Sequence, residues 1–195
     1  MTTEGFVDAL FGSLILRKAY HVIGGFIIIA LLVWVSRIWL FALGFTYLLA
    51  FWIWGRRISF AVLAILILIT VTGSRLAATG AAIVFTIGDG IAAIIGARYG
   101  KSTWPWHRKK TMLGTFSFFV GSFLALAMYV HVAAQSSGVE QLLLALLPSL
   151  MGAVVECLPV TAIRDRKPDD NLLVILTSGL VFHILERLFA IGAPA

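Results

Sequence analysis

The 195-residue chain is 61% hydrophobic and only 12% charged, about half the charged share of an average soluble domain. That excludes a soluble globular domain and leaves one integral membrane domain over residues 1–195. The single cysteine, Cys157, excludes an intrachain disulfide framework, and a net charge of +6 gathered at the ends of apolar runs does not describe a nucleic-acid binder. In chain order, nearly uncharged runs cover Val22–Ser36, Ile38–Trp54, Ile58–Ser74, Leu76–Ala97, Thr111–Val139, Gln141–Ile163 and Asn171–Leu185. A crossing helix needs about 20 residues and as few as about 17. The first helix is therefore expected to begin near Gly12, and the last to continue through Glu186 and Arg187. The predicted fold is an all-α polytopic bundle of about seven transmembrane helices.

The basic residues orient it. Numbered alternately, one set of helix ends holds twelve Lys and Arg residues, among them Arg17, Lys18, Lys101, Arg108, Lys109, Lys110 and Arg164, and the other holds only Arg37, Arg75 and Arg187. This asymmetry predicts a cytosolic N-terminus and an external C-terminus. No cleavable leader is expected, because Glu4 and Asp8 stand where a basic patch would begin one. A prokaryotic cytoplasmic membrane is the expected location.

The run "IVFTIGDGIAAIIGARYG" carries a lone aspartate, Asp89, in its cytosolic half, and Glu156 lies at comparable depth in a later run of the same direction. An ionisable group inside a span costs roughly 2.5–3.5 kcal/mol on insertion scales and is functional by default. Two acids at one depth suggest a shared polar pocket, against the simpler reading that each pins helices together. The glycines Gly80, Gly88, Gly90, Gly96 and Gly100 allow a close backbone or a close ligand.

The loop "GKSTWPWHRKKTMLG" places Lys101, Lys109 and Lys110 beside the membrane, with Lys110 and Thr111 where the next helix starts. Lysines at a helix N-terminus suit a polyphosphate, although a basic cytosolic loop with Trp104 and Trp106 also suits lipid headgroups. The stretch Gly96–Ser102 falls one residue short of a phosphate-binding loop and follows a helix rather than a strand. Asp169, Asp170 and Asn171 at the mouth of the last run are hard oxygen ligands of the kind Mg²⁺ takes alongside nucleotide phosphates, or alternatively a helix cap. Arg17 and His21 are one turn apart, with Lys18 beside them. His131 and His183 are expected to be structural.

In this order the elements resemble the CTP-dependent lipid-alcohol kinases, which include dolichol kinase, phytol kinase and the yeast-type diacylglycerol kinase. The matching elements are Arg17, Lys18 and His21 of "RKAYH"; Gly88 and Asp89 through Lys101 of "GDGIAAIIGARYGK"; Lys109, Lys110, Thr111 and Gly114 of "KKTMLG"; Glu156 of "VVECLP"; and Asp169, Asp170 and Asn171. Leu173 and Ile175 stand where the family often has Thr and Pro. The resemblance implies CTP as phosphate donor, Mg²⁺ or another divalent metal, and a lipid alcohol drawn from the bilayer. Asp89 is then the base or a metal ligand, and Glu156 the alternative base or the residue that orients Lys109 and Lys110. The lysines hold phosphates, and Asp169, Asp170 and Asn171 hold metal. An isoprenoid alcohol of the polyprenol, dolichol or phytol type is the expected acceptor, with diacylglycerol as the alternative. A cytidylyltransferase making a CDP-lipid is the nearest rival. A proton or cation transporter is disfavoured because the outer halves of the runs read as nearly pure hydrocarbon.

Overall fold

The computed structural model describes residues 19, 22–54, 60–133, 138–159 and 170–191. Among them seven helices follow in order: α1 (Val22–Trp34), α2 (Arg37–Trp54), α3 (Phe60–Thr72), α4 (Arg75–Tyr99), α5 (Met112–Ala133), α6 (Val139–Cys157) and α7 (Asp170–Leu188). Four of these, α4 to α7, are long and apolar enough to cross a membrane. The 13 residues of α3 rise only about 20 Å, short of a hydrocarbon core of about 30 Å. Against the seven crossings expected, four stand on length and composition among the described residues.

The all-helical expectation needs one correction. The basic loop folds into an antiparallel hairpin, β1 (Thr103–Trp104) and β2 (His107–Thr111), with Trp104 opposite His107 around a Pro105–Trp106 turn. The two indoles stack with centroids 4.9 Å apart. Lys110 and Thr111 thus belong to a strand, and α5 begins one residue later, at Met112.

Helix α4 is the centre of the bundle and packs against α3, α5, α6 and α7. Its small residues make this possible. Ala77, Ala78, Ala81 and Ala82 are buried, and glycines recur every eight residues, just over two turns, at positions 80, 88 and 96. A Cβ at Gly80 would lie 3.1 Å from the Phe182 ring, one at Gly88 2.8 Å from Phe118, and one at Gly96 3.2 Å from the Gly114 backbone. Bulky side chains from α5 and α7 therefore fill the notches along α4, which is how helices approach closely where lipid offers no hydrophobic drive.

The turn into α4 is tightly specified. Gly73, at φ 66°, ends α3 with its N–H on the Ile69 carbonyl, the left-handed stop that glycine makes at least cost. Ser74 then caps α4, accepting from the Ala77 N–H at 3.0 Å and donating to Glu186 Oε2 at 2.6 Å. His183 contacts the same carboxylate oxygen at 3.2 Å, and Tyr129 bonds Thr79 close by. This end of the bundle, opposite the hairpin, is therefore polar rather than pure hydrocarbon, because α4, α5 and α7 bring together single polar residues that lie far apart in the sequence. Between the two ends, Ser117, Ser122 and Ser178 bond carbonyls of their own helices, so these hydroxyls form no route between them. Ser74→Ala should remove the cap and one partner of Glu186, destabilising the fold by about 1 kcal/mol. The expected outcome is a melting midpoint in detergent lower by a few degrees.

Candidate active site

The site is built at the hairpin end of the bundle, where three segments meet. Helix α4 supplies Asp89 one residue beyond the Gly88 notch. The hairpin supplies Lys109 and Lys110 from β2, and the last turn of α6 supplies Glu156. All four line one cavity of about 360 Å³, together with Thr111 at the end of β2 and Gly114 and Thr115 from the start of α5. The α4 wall is made of Ala92, Ala93, Gly96 and Ala97, whose small side chains leave the space open.

Glu156 is buried, 6% exposed, and Lys110 meets it in a salt bridge and hydrogen bond through Nζ and Oε1. A carboxylate at that depth needs such a partner, since an uncompensated buried charge is strongly destabilising. The two lysines differ in burial and partner. Lys110 is half-buried and bound to Glu156, while Lys109 is exposed at the cavity edge.

The hairpin is held in place by its two tryptophans. Trp104 donates from Nε1 to Thr115 Oγ1 at 2.9 Å, on α5. Trp106 donates from Nε1 to the Cys157 carbonyl at 3.1 Å, beside Glu156 at the end of α6. Thr111 finishes the strand and caps α5 by accepting from the Gly114 N–H at 3.0 Å, and the Met112 N–H bonds the Ser102 carbonyl at 2.9 Å. The lysines are thereby presented at a helix N-terminus, where backbone N–H groups and the helix dipole favour an anion.

The other residues singled out from the sequence are distributed as follows. Gly88 is buried under the Phe118 ring and serves packing rather than the cavity wall. Lys101 is exposed and is not among the described lining residues. Asn171 is half-buried in the first turn of α7. Arg17, Lys18, His21 and Asp169, and the side chain of Asp170, lie outside the described residues. Sequence reasoning missed Thr115 and the two indole hydrogen bonds. Trp104 and Trp106 read as generic interfacial aromatics, and only the hairpin shows what their N–H groups reach.

Among the described residues no group of three potential metal ligands forms. Mg²⁺ asks for less, since it is typically bound by one or two carboxylates together with substrate phosphates and waters. An aspartate lining an open cavity beside lysines fits that pattern.

A 107-residue stretch is 38% identical to a protein of Glycine max named probable phytol kinase 2, chloroplastic, covering 50% of this chain and 34% of that protein. It is similar to plant phytol and farnesol kinases. The Zea mays protein named probable phytol kinase, chloroplastic, is 38% identical over 107 residues, 50% of this chain and 33% of its own length. The Arabidopsis thaliana protein named farnesol kinase, chloroplastic, is 33% identical over 102 residues, 50% of this chain and 32% of its own. The match thus spans about a third of the curated relatives' length. No family model and no solved structure matches the chain. These relatives are named as chloroplastic plant proteins, so they lend no support to the expected prokaryotic cytoplasmic membrane.

Breaking the Lys110–Glu156 pair from one side should cost more than removing both charges. Lys110→Met alone is expected to destabilise by about 1–3 kcal/mol. The Lys110→Met/Glu156→Gln double variant should recover part of that loss, measured as a double-mutant cycle of detergent melting.

Proposed function

We propose that the protein is a membrane kinase that transfers the γ-phosphate of a nucleoside triphosphate, CTP, to the hydroxyl of an isoprenoid alcohol. The observation that carries this reading is the cavity in which Asp89, Lys109, Lys110 and Glu156 converge, in a chain similar to phytol and farnesol kinases. Those names favour an isoprenoid acceptor over diacylglycerol.

Phosphoryl transfer requires positioning and charge neutralisation more than covalent chemistry. Lys109 would meet the phosphates from the cavity edge, and the N-terminus of α5 would add its N–H groups. Lys110, oriented by Glu156, would present a fixed positive charge to the transferring group. Asp89 lines the cavity beside the Lys110–Glu156 pair, and there it would accept the hydroxyl proton. The alcohol oxygen then bonds to the γ-phosphorus as the bond to the nucleoside diphosphate breaks, and the proton goes to Asp89 Oδ. Mg²⁺ held by Asp169, Asp170 and Asn171 would neutralise the phosphate charge, Asp89 being a further ligand in the alternative where it is not the base. Arg17, Lys18 and His21 would brace phosphates from the segment before α1. The excess of Lys and Arg on the hairpin side of the chain supports a site on the cytosolic face.

The test is label transfer from γ-labelled CTP or ATP, with Mg²⁺, to a panel of farnesol, phytol, a long polyprenol and diacylglycerol. Label should appear in an isoprenoid alcohol, with CTP preferred, and disappear on chelation. Asp89→Asn should lower the rate by about 10²–10⁴ with the melting midpoint unchanged. Pyrophosphate release with a CDP-lipid would establish the cytidylyltransferase instead, and no product from any acceptor would overturn the kinase reading. Lys109→Ala should raise the KM for nucleotide by about tenfold, the loss of one charge-assisted contact, and leave the KM for alcohol in place.

A further inference from the structure

A second cavity of about 360 Å³ lies between α1, α2 and α3. Every described lining residue is aliphatic or glycine, including Gly24, Ile28 and Leu31 of α1, Leu43 and Gly44 of α2, and Leu66 of α3. With no polar or aromatic group on its wall, the groove can hold only hydrocarbon.

Its position relates it to the active-site cavity. On α1, Val22 meets the position a Cβ would take at Gly90, and Gly25 packs against Thr86. These contacts lie on either side of Asp89 along α4. Gly24, where the groove begins, sits between them on α1 and has nothing within 4 Å of where its side chain would start. At Gly24 the wall of α1 is therefore bare backbone, at the depth of Asp89 along α4, while Thr86 fills the space over Gly25. From Gly24 to Leu32 the groove follows eight residues of α1, a length of about 12 Å. An isoprene unit advances the chain by four carbon–carbon bonds of about 1.5 Å each, so the groove matches roughly two to three units.

We propose that this groove holds the first two or three isoprene units of the acceptor alcohol, its hydroxyl end passing over Gly24 toward Asp89. The inference rests on the kinase reading for the identity of its occupant. Units beyond the third trail into the bilayer, so the groove recognises the hydroxyl-proximal part of the chain and not its full length.

The test joins a binding readout to a kinetic one. The purified protein in phosphatidylcholine nanodiscs is photolabelled with a diazirine analogue of farnesol, and the labelled peptides are mapped. Label should fall on α1, α2 and α3, and farnesol or phytol should compete for it against the phosphatidylcholine background. In parallel, Leu43→Trp, which fills the groove from its half-exposed rim, should lower kcat/KM for farnesol by tenfold or more. The rate with prenol, a single isoprene unit, should be preserved. Leu124→Trp, on the exposed face of α5 away from the groove, should change neither. Label on α5 or α6, label that farnesol does not displace, or equal losses in both variants would overturn the groove. Competable label in the groove without phosphate transfer would keep the groove and remove the kinase. Phosphate transfer with label elsewhere would do the reverse.

Discussion

The arrangement depends on a carboxylate that cannot stand alone. Glu156 is buried at the end of α6, and a charge at that depth is tolerated only with a partner. Lys110 supplies it from a different segment, so the ion pair also fixes where the hairpin sits relative to α6. The Trp106 bond to Cys157 lies one residue away and Trp104 ties the same hairpin to α5. Three directional contacts therefore locate a twelve-residue connection, residues 100–111, that hydrophobic burial alone would leave free. Lys110 and Glu156 are bound to each other in the wall of a cavity that Lys109 and Asp89 also line.

Packing of α4 is the second constraint, and it decides the depth of the site. Because Gly88 admits the Phe118 ring, α5 lies close enough for its first turn to reach Gly96. Gly96 and Gly114 then bring the two backbones together directly beneath the cavity. The glycines near Asp89 thus divide into those that seat neighbouring helices and those that keep the pocket wall thin. Gly90 does a third thing, receiving Val22 and bringing α1 alongside. A flat apolar helix would pack none of these neighbours so near to a charged residue.

Both ends of the bundle are polar, but in different ways. At the hairpin end lysines and acids surround an open cavity. At the other end Glu186 is enclosed by Ser74 and His183, which join α7 to the start of α4 as a clasp. An argument from apolar runs could not find this clasp, since each of its members stands alone among hydrophobic neighbours. His183, expected to be structural, contacts Glu186 in this clasp at the end of the bundle opposite the hairpin.

Much was legible in the sequence for a simple physical reason. Long uncharged runs demand helices, a charge inside one demands a partner or a purpose, and hard oxygen and ammonium groups near a membrane surface point to phosphate. The helical bundle with long apolar spans, the meeting of Asp89 and Glu156 at one cavity, and the family resemblance all followed from residue type and spacing. Spacing along a chain says nothing about whether a loop lysine will reach an acid on another helix, or whether a polar loop will pair with itself. The hairpin, the Lys110–Glu156 bridge, the packing role of Gly88 and the groove behind α1 come from contacts between segments distant in sequence. Those contacts depend on how closely helices approach, and only the tertiary structure decides that.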